Sequence, residues 1–206
     1  SLRTAPFWDL LIGDAATYDA WARRIAGGDG LGPETFYQAP LYPYLLGLWY
    51  RLAGPDLLAV RLLQGVMGAA GCAFVAAATA RFAGRTAGWA AGVLLAGYAP
   101  AIFLGALVQK SALDLLLVAA LVLAVAHLVE RPERWRFFAT GALFGLLVLN
   151  RENSLLVAPV FAGWVLWRFR PRFRLAAWWL AGVAIALAPA VAHNAWVGGE
   201  FLVTTA

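Results

Sequence analysis

Apolar residues occupy most of the chain after position 40, in long runs separated by short segments with Gly, Pro or charge. Several runs far exceed the roughly ten residues of a membrane barrel strand, and hydrocarbon accepts only helices or closed barrels. The chain is therefore predicted to be an all-α integral membrane protein. The pattern predicts seven helical segments, at 41–53, 57–80, 86–107, 111–129, 135–149, 153–168 and 175–197.

The start of the chain is more polar. Residues 1–39 contain five of the eleven acidic residues, together with a Gly-rich turn at 26–30. Positions 14–25 have helical spacing of apolar residues, with basic residues placed to reach an interface. We expect a first external loop over 1–40 that carries a juxtamembrane helix, a helical bundle over 41–198, and the start of another external segment at 199–206. The missing initiator Met and the abrupt end predict further segments of a larger parent on both sides.

Loop charges predict the orientation of the bundle. Segment 41–53 is too short for a comfortable span and contains Pro43 and Arg51. If segment 41–53 stays on one side of the membrane, the later helices alternate so that nine loop arginines lie on the opposite side. If the segment crosses the membrane, the loops that hold these arginines change sides. The positive-inside rule favours the first arrangement and makes the arginine side cytoplasmic. The nine residues are Arg81, Arg85, Arg131, Arg134, Arg136, Arg168, Arg170, Arg172 and Arg174.

Composition agrees with a membrane location and excludes several function classes. The chain is 63% hydrophobic and 13% charged, far from the balance of soluble domains. Its net charge of +5 resides mainly in short loops, which disfavours nucleic-acid binding. The single cysteine, Cys72, cannot form an intrachain disulfide. Gly-rich phosphate loops, Cys pairs and the G-x-S-x-G motif are absent from the sequence, so nucleotide-sugar, redox and serine-hydrolase chemistry lack support.

Asp14 and Tyr18 are the first candidates for chemistry. They lie four residues apart on one face of the juxtamembrane helix, where a carboxylate can act as a general base and remain accessible to lipid substrates. The competing interpretation is structural, because Asp is a preferred N-cap residue and Asp14 opens the helix.

Basic residues between later helices are candidates for binding phosphate. Lys110 can hold an anionic phosphate as a point charge, and Arg151 can bind one with two hydrogen bonds. The alternatives are an interfacial anchor for Lys110, a pair between Arg151 and Glu152, and an intrahelical pair between Lys110 and Asp114. His193 and Asn194 end the last segment, but a single His is weak evidence for a metal, and no metal-ligand set is predicted.

Several motifs, in order, resemble the dolichyl-phosphate-mannose–protein mannosyltransferase-like superfamily of the GT-C fold, which includes bacterial aminoarabinose transferases. The first is Gly13-Asp14-Ala15-Ala16-Thr17-Tyr18-Asp19, followed after a Gly-containing loop by Phe36-Tyr37-Gln38-Ala39-Pro40-Leu41-Tyr42-Pro43. The others are Ala59-Val60-Arg61-Leu62-Leu63-Gln64, Ala80-Arg81-Phe82-Ala83-Gly84-Arg85, Asn150-Arg151-Glu152-Asn153 and His193-Asn194-Ala195-Trp196-Val197-Gly198-Gly199-Glu200-Phe201.

The resemblance implies a GT-C-type helical bundle in the inner or plasma membrane with its active face outside. The implied reaction is inverting transfer of a hexose or pentose from a polyprenyl-phosphate-linked donor to a lipid, glycan or protein acceptor, and the need for a divalent cation stays open. It implies Asp14 as the catalytic carboxylate. The resemblance also implies a less direct part for Asp19, and the candidate substrate-binding residues as a whole are Tyr18, Asp19, Gln38, Lys110, Arg151, Glu152, His193 and Asn194.

A non-enzymatic polytopic protein, either a transporter or an assembly subunit, is the rival hypothesis. Transporters often contain repeated halves and helices broken at mid-membrane. The sequence shows no convincing internal repeat and concentrates acids in one external loop before the bundle. These features favour the enzyme.

Overall fold

The computed structural model describes residues 11–30, 32, 35–169 and 173–199. Within these ranges the chain forms helices and no strand, which confirms the predicted all-α class. The α-helices are α1 (Asp14–Ala26), α2 (Leu41–Ala53), α3 (Leu57–Ala83), α4 (Arg85–Ala96), α5 (Ala99–Ala106), α6 (Ser111–Glu130), α7 (Arg134–Asn150), α8 (Ala158–Arg168) and α9 (Phe173–Gly198). A 3₁₀ helix over Glu152–Val157 precedes α8.

Three of these helices, α3, α6 and α9, are long and apolar enough to cross a bilayer. The bent pair α4 and α5 adds a fourth span if it is counted as one. Many large apolar side chains point away from the bundle, as expected where lipid replaces water around a protein. Examples are Trp89, Val93, Leu94, Ile102, Phe103 and Leu180.

The expected single helix at 86–107 is wrong, because the chain breaks into α4 and α5 with a bend of 51°. The break follows Gly97, and Pro100 occupies the first turn of α5. Proline has no N–H to donate to the preceding turn, and its ring clashes with the carbonyl four residues before it, so a regular helix does not continue through Pro100.

The expected helix at 153–168 also differs from the structure. Residues Glu152–Val157 form a 3₁₀ helix, and regular α-helix begins at Ala158 with Pro159 in its first turn. A 3₁₀ turn is tighter than an α-turn, and it is a common way to enter an α-helix. The polar segment after α7 is therefore short and compact.

Helix α2 stays on one side of the bundle. The hydroxyl of Tyr42, in its first turn, donates to Oε1 of Gln64 on α3 at 2.8 Å, and only three residues link its end to Leu57. A 13-residue helix is about 20 Å long, whereas Gln64 lies only about 10 Å along α3 from Leu57. Both ends of α2 therefore lie near the same end of α3, which supports the predicted arrangement.

Two buried clusters hold the bundle together. One joins α7, α8 and α9 to aromatic residues of the first segment; the other joins α1 and α2 to α3 and α6.

Helices α7 and α9 pack most closely where glycines of one helix meet the backbone of the other. A Cβ on Gly141 would lie 2.0 Å from the Trp179 carbonyl oxygen, and one on Gly182 would lie 2.0 Å from that of Phe138.

The two ends of the bundle differ in chemistry. At one end Arg81 donates to both oxygens of Glu130, at 2.9 and 2.7 Å, and Arg136 donates to the carbonyl of His127 at 3.0 Å. The other end gathers α1, the starts of α3 and α6, and the ends of α7 and α9. Polar residues from several segments converge there, as the contacts of Lys110 and its neighbours show.

Candidate active site

Asp14 is the first residue of α1. The residue before it, Gly13, adopts φ 61° and makes no side-chain cap, so Asp14 is not the N-cap of this helix. Its side chain is exposed and lies in the first turn of the helix. The capping interpretation is therefore wrong for Asp14, and its carboxylate remains accessible for chemistry.

Tyr18 lies one turn after Asp14 and is buried. Burial raises the pKa of Tyr18 to about 12, with a further upward contribution from the Asp14 carboxylate and then from Glu152. Arg151 lowers the same pKa and Asp114 raises it. The hydroxyl therefore remains a protonated donor at neutral pH, and charged groups from three segments of the chain lie close enough to act on it.

Asp114, in the first turn of α6, organises the end of α7. Its Oδ1 accepts a hydrogen bond from Nδ2 of Asn150 at 2.7 Å. Its Oδ2 accepts from Nε and Nη2 of Arg151, at 2.9 and 2.5 Å. The pKa of the Arg151 guanidinium is raised, first by this hydrogen bonding and also by the charge of Glu152. Charge-assisted pairs of this geometry are strong and directional, so the pair sets the orientation of the guanidinium.

Lys110 pairs with Glu152 across the same cluster. The distance from Nζ to Oε2 is 3.9 Å, and the lysine side chain is mostly covered. The alternatives considered from the sequence were a pair of Lys110 with Asp114 along one helix and a pair of Arg151 with its neighbour Glu152. The structure shows different pairs, because the start of α6 meets the end of α7 and each acid binds the base of the other segment.

Two acceptor atoms in this cluster are buried and receive no hydrogen bond from the described residues. They are Oδ1 of Asn150 and Oε2 of Glu152. Buried acceptors are normally satisfied by protein, water or ligand, and Oε2 of Glu152 is the atom that faces Nζ of Lys110. Among the described residues, no group of three or more His, Cys, Asp and Glu side chains is arranged to hold a metal ion.

Asp19 connects α1 to α2. Its Oδ1 accepts from the hydroxyl of Tyr50 at 2.6 Å, and its Oδ2 accepts from Nε of Arg23 at 2.7 Å. Hydrogen bonding to Asp19 accompanies burial as a cause of the raised pKa of Tyr50. Both oxygens of Asp19 have protein partners, so its clear role is to orient α1 on α2.

His193 and Asn194 lie near the end of α9 and hold the segment before α2. The ring of His193 stacks on Phe36 with centroids 3.9 Å apart, and Oδ1 of Asn194 accepts from the backbone N–H of Phe36 at 3.1 Å. His193 also borders an apolar cavity of about 660 Å³. Oε1 of Gln38 is buried without a hydrogen bond from the described residues. The structure thus places His193 and Asn194 against Phe36, with His193 beside this cavity.

Sequence reasoning missed the central position of Asp114 and Asn150. Asp114 opens α6 and Asn150 closes α7, so both stand at helix ends, where side chains of different elements meet. A polar residue at each of two facing helix ends was the available signal. This signal was overlooked because Lys110 and Asp114 have the spacing of an intrahelical pair, which already gave Asp114 a partner.

Comparison with known families decides the class of the protein. The chain matches the model of the family described as dolichyl-phosphate-mannose-protein mannosyltransferase over residues 37–196. The chain belongs to this family. Comparisons with curated proteins and with solved structures found no match.

As a member of this mannosyltransferase family, the chain is a membrane glycosyltransferase, and the transporter interpretation is not favoured. The matched region contains the basic cluster of Lys110, Arg151 and their partners, together with the end of α9. The match begins after α1, so Asp14 lies outside the matched region.

Proposed function

We propose that the protein transfers a sugar from a polyprenyl-phosphate-linked donor to a lipid, glycan or protein acceptor at the external face of the membrane. The observation that carries the proposal is that the Asp14 carboxylate and the Arg151 guanidinium both act on the buried hydroxyl of Tyr18, while Lys110 pairs with Glu152, which acts on the same hydroxyl. Asp14 comes from α1, Lys110 precedes α6, and Arg151 follows α7. The donor class also agrees with the description of the family.

The proposed reaction is a single displacement at the anomeric carbon. The Asp14 carboxylate takes the proton from the acceptor hydroxyl or amine while the acceptor atom forms its bond to the anomeric carbon. The bond from that carbon to the phosphate oxygen breaks, and the electron pair leaves with the polyprenyl phosphate. One displacement from the opposite face inverts the configuration of the sugar.

The two cations stabilise the leaving phosphate in this scheme. Arg151 uses Nε and Nη2 for Asp114, and an arginine has five N–H donors, so others remain for a phosphate oxygen. Lys110 adds a second positive charge beside Glu152. Fixed charges at the position where charge develops in the transition state lower the barrier without reorganisation.

Loop charges support an external site. Seven of the arginines expected in cytoplasmic loops lie in described residues at the end of the bundle opposite Lys110 and Arg151, and the positive-inside rule places that end in the cytoplasm. The seven are Arg81, Arg85, Arg131, Arg134, Arg136, Arg168 and Arg174. The apolar cavity beside His193 has room for part of a lipid chain.

The direct test is transfer of radiolabelled sugar by membranes containing the full-length protein, supplied with a panel of polyprenyl-phosphate sugars. We expect transfer from at least one donor, with the opposite anomeric configuration in the product. Nucleotide sugars, supplied without any polyprenyl phosphate, should give none. Transfer from nucleotide sugars alone, or retained configuration, would contradict the proposal.

Replacing Arg151 with Lys should lower kcat/KM for the donor about 10- to 100-fold, the loss expected for one charge-assisted hydrogen bond. Lysine keeps the charge but cannot contact Asp114 through two nitrogens and phosphate through a third. Steady-state kinetics with purified protein measures the change. Arg81→Lys is the matched control, because Arg81 also contacts both oxygens of a carboxylate but lies at the opposite end. Equal effects of the two variants would refute this role.

A further inference from the structure

A buried glutamine on α3 contacts the end of the helix that leads to Lys110. Gln64 is 2% exposed, and its Nε2 donates to the carbonyls of Gly105 and Leu107, at 2.7 and 2.6 Å. Its Oε1 accepts from the Tyr42 hydroxyl at 2.8 Å. The whole amide group is therefore hydrogen-bonded to parts of the chain distant in sequence.

The end of α5 depends on these donors. The last four carbonyls of a helix lack partners within the helix, and α5 is followed by Leu107 in extended backbone rather than by a capping glycine. Arg61, one turn before Gln64, donates its Nε to the carbonyl of Ala106 at 3.1 Å. Three consecutive carbonyls thus receive hydrogen bonds from two side chains of α3.

The link from α5 to α6 is held at both ends. It contains only residues 107–110, and Val108 within it is buried. At its start Gln64 binds the Leu107 carbonyl; at its end Nδ2 of Asn150 donates to the carbonyl of Lys110 at 3.2 Å. The backbone that carries the Lys110 side chain is therefore positioned by α3 on one side and by α7 on the other.

We propose that Gln64 is a positioning residue that places Lys110 to bind the phosphate of the lipid-linked donor. The proposal rests on the proposed role of Lys110 as a phosphate ligand. A merely structural glutamine would stabilise the end of α5 without a specific effect on phosphate binding. A positioning glutamine acts through Lys110, so its effect on phosphate binding disappears when the lysine side chain is removed.

The test is a double-mutant cycle in the full-length protein, with Gln64→Met, Lys110→Met and the combined variant. Methionine has similar length and flexibility to glutamine but cannot replace its hydrogen bonds. Binding of polyprenyl phosphate and KM for the donor are measured. We expect Gln64→Met to weaken phosphate binding about tenfold, within the range for coupled neighbours, but to have no more than about a twofold effect in the Lys110→Met background. Leu62→Ala, a lipid-facing change in the same turn of α3, should leave binding unaltered.

The possible outcomes are distinct. A full additional loss from Gln64→Met in the absence of the lysine would show a structural role and overturn the positioning proposal. Unchanged phosphate binding in Lys110→Met would refute the phosphate role of Lys110 itself and, with it, the positioning by Gln64. If Gln64→Met does not fold, Tyr42→Phe removes only the hydroxyl that binds Gln64. Tyr42→Phe should then raise the dissociation constant for polyprenyl phosphate about two- to threefold, and only while Lys110 is present. The proposal is overturned if this constant does not rise, or if it also rises in the Lys110→Met background.

Discussion

Asp14→Asn should abolish most sugar transfer, with a fall in kcat of about 10²- to 10⁴-fold, the usual contribution of a general base. Asparagine keeps the size and polarity of the side chain but cannot take a proton from the acceptor. The carboxylate is exposed and is not the N-cap of α1, so the substitution should leave the fold and the thermal unfolding temperature unchanged. Single-turnover transfer from a saturating labelled donor measures the loss.

A measurement of donor binding by Asp14→Asn distinguishes loss of the general base from a wider disturbance of the site. Asp14 is proposed to act on the acceptor, so the affinity of Asp14→Asn for polyprenyl phosphate should remain close to that of the original protein. Asp56→Asn is the matched control, because Asp56 is an exposed aspartate at the start of α3 and asparagine is an equally good cap. Full activity of Asp14→Asn, or equal losses in both variants, would exclude Asp14 as the base.

Hydrophobic patterning predicted the order and the approximate positions of the helical segments, because long apolar runs in a membrane protein have few alternatives to helix. The predicted segment 41–53 coincides with α2, and the juxtamembrane helix appears as α1. The pattern did not predict the break between α4 and α5. Hydropathy depends on side chains, which remain apolar through the break, whereas the bend arises in the backbone near Gly97 and Pro100.

The sequence singled out several residues of the candidate site, but it predicted neither the central position of Asp114 and Asn150 nor which side chains pair. The intrahelical rule joined Lys110 to Asp114, but it applies only to residues within one helix. Lys110 precedes the first residue of α6, and Arg151 follows the last residue of α7 with extended backbone, at φ −145° and ψ 97°. Lys110 and Arg151 therefore stand at helix ends, from which each side chain reaches a group beyond its own helix. Such contacts depend on how α6 packs against α7, which one sequence does not reveal.

Gly182→Ala should strongly destabilise the bundle even though alanine is the better helix former. A Cβ at this position would lie 2.0 Å from the carbonyl oxygen of Phe138 and 2.7 Å from the backbone nitrogen of Ala142. Backbone atoms cannot rotate away as a side chain can, so α7 and α9 must separate. Overpacking of this kind typically costs about 1–3 kcal/mol, and contact with backbone favours the upper end. Thermal unfolding in detergent should show a marked fall in the midpoint.

Gly163→Ala on α8 is the control with the opposite expected sign. A Cβ there meets no atom within 4 Å, so the variant should be as stable as the original or more so by up to about 1 kcal/mol, the helix preference of alanine over glycine. Equal stability of the two variants would show that α7 and α9 do not approach so closely. If α7 and α9 do approach this closely, Gly182→Ala should also reduce sugar transfer. Arg151 follows α7, and α9 holds Phe36 through His193 and Asn194. The close glycine contact would then be a condition for assembling the site as well as for stability.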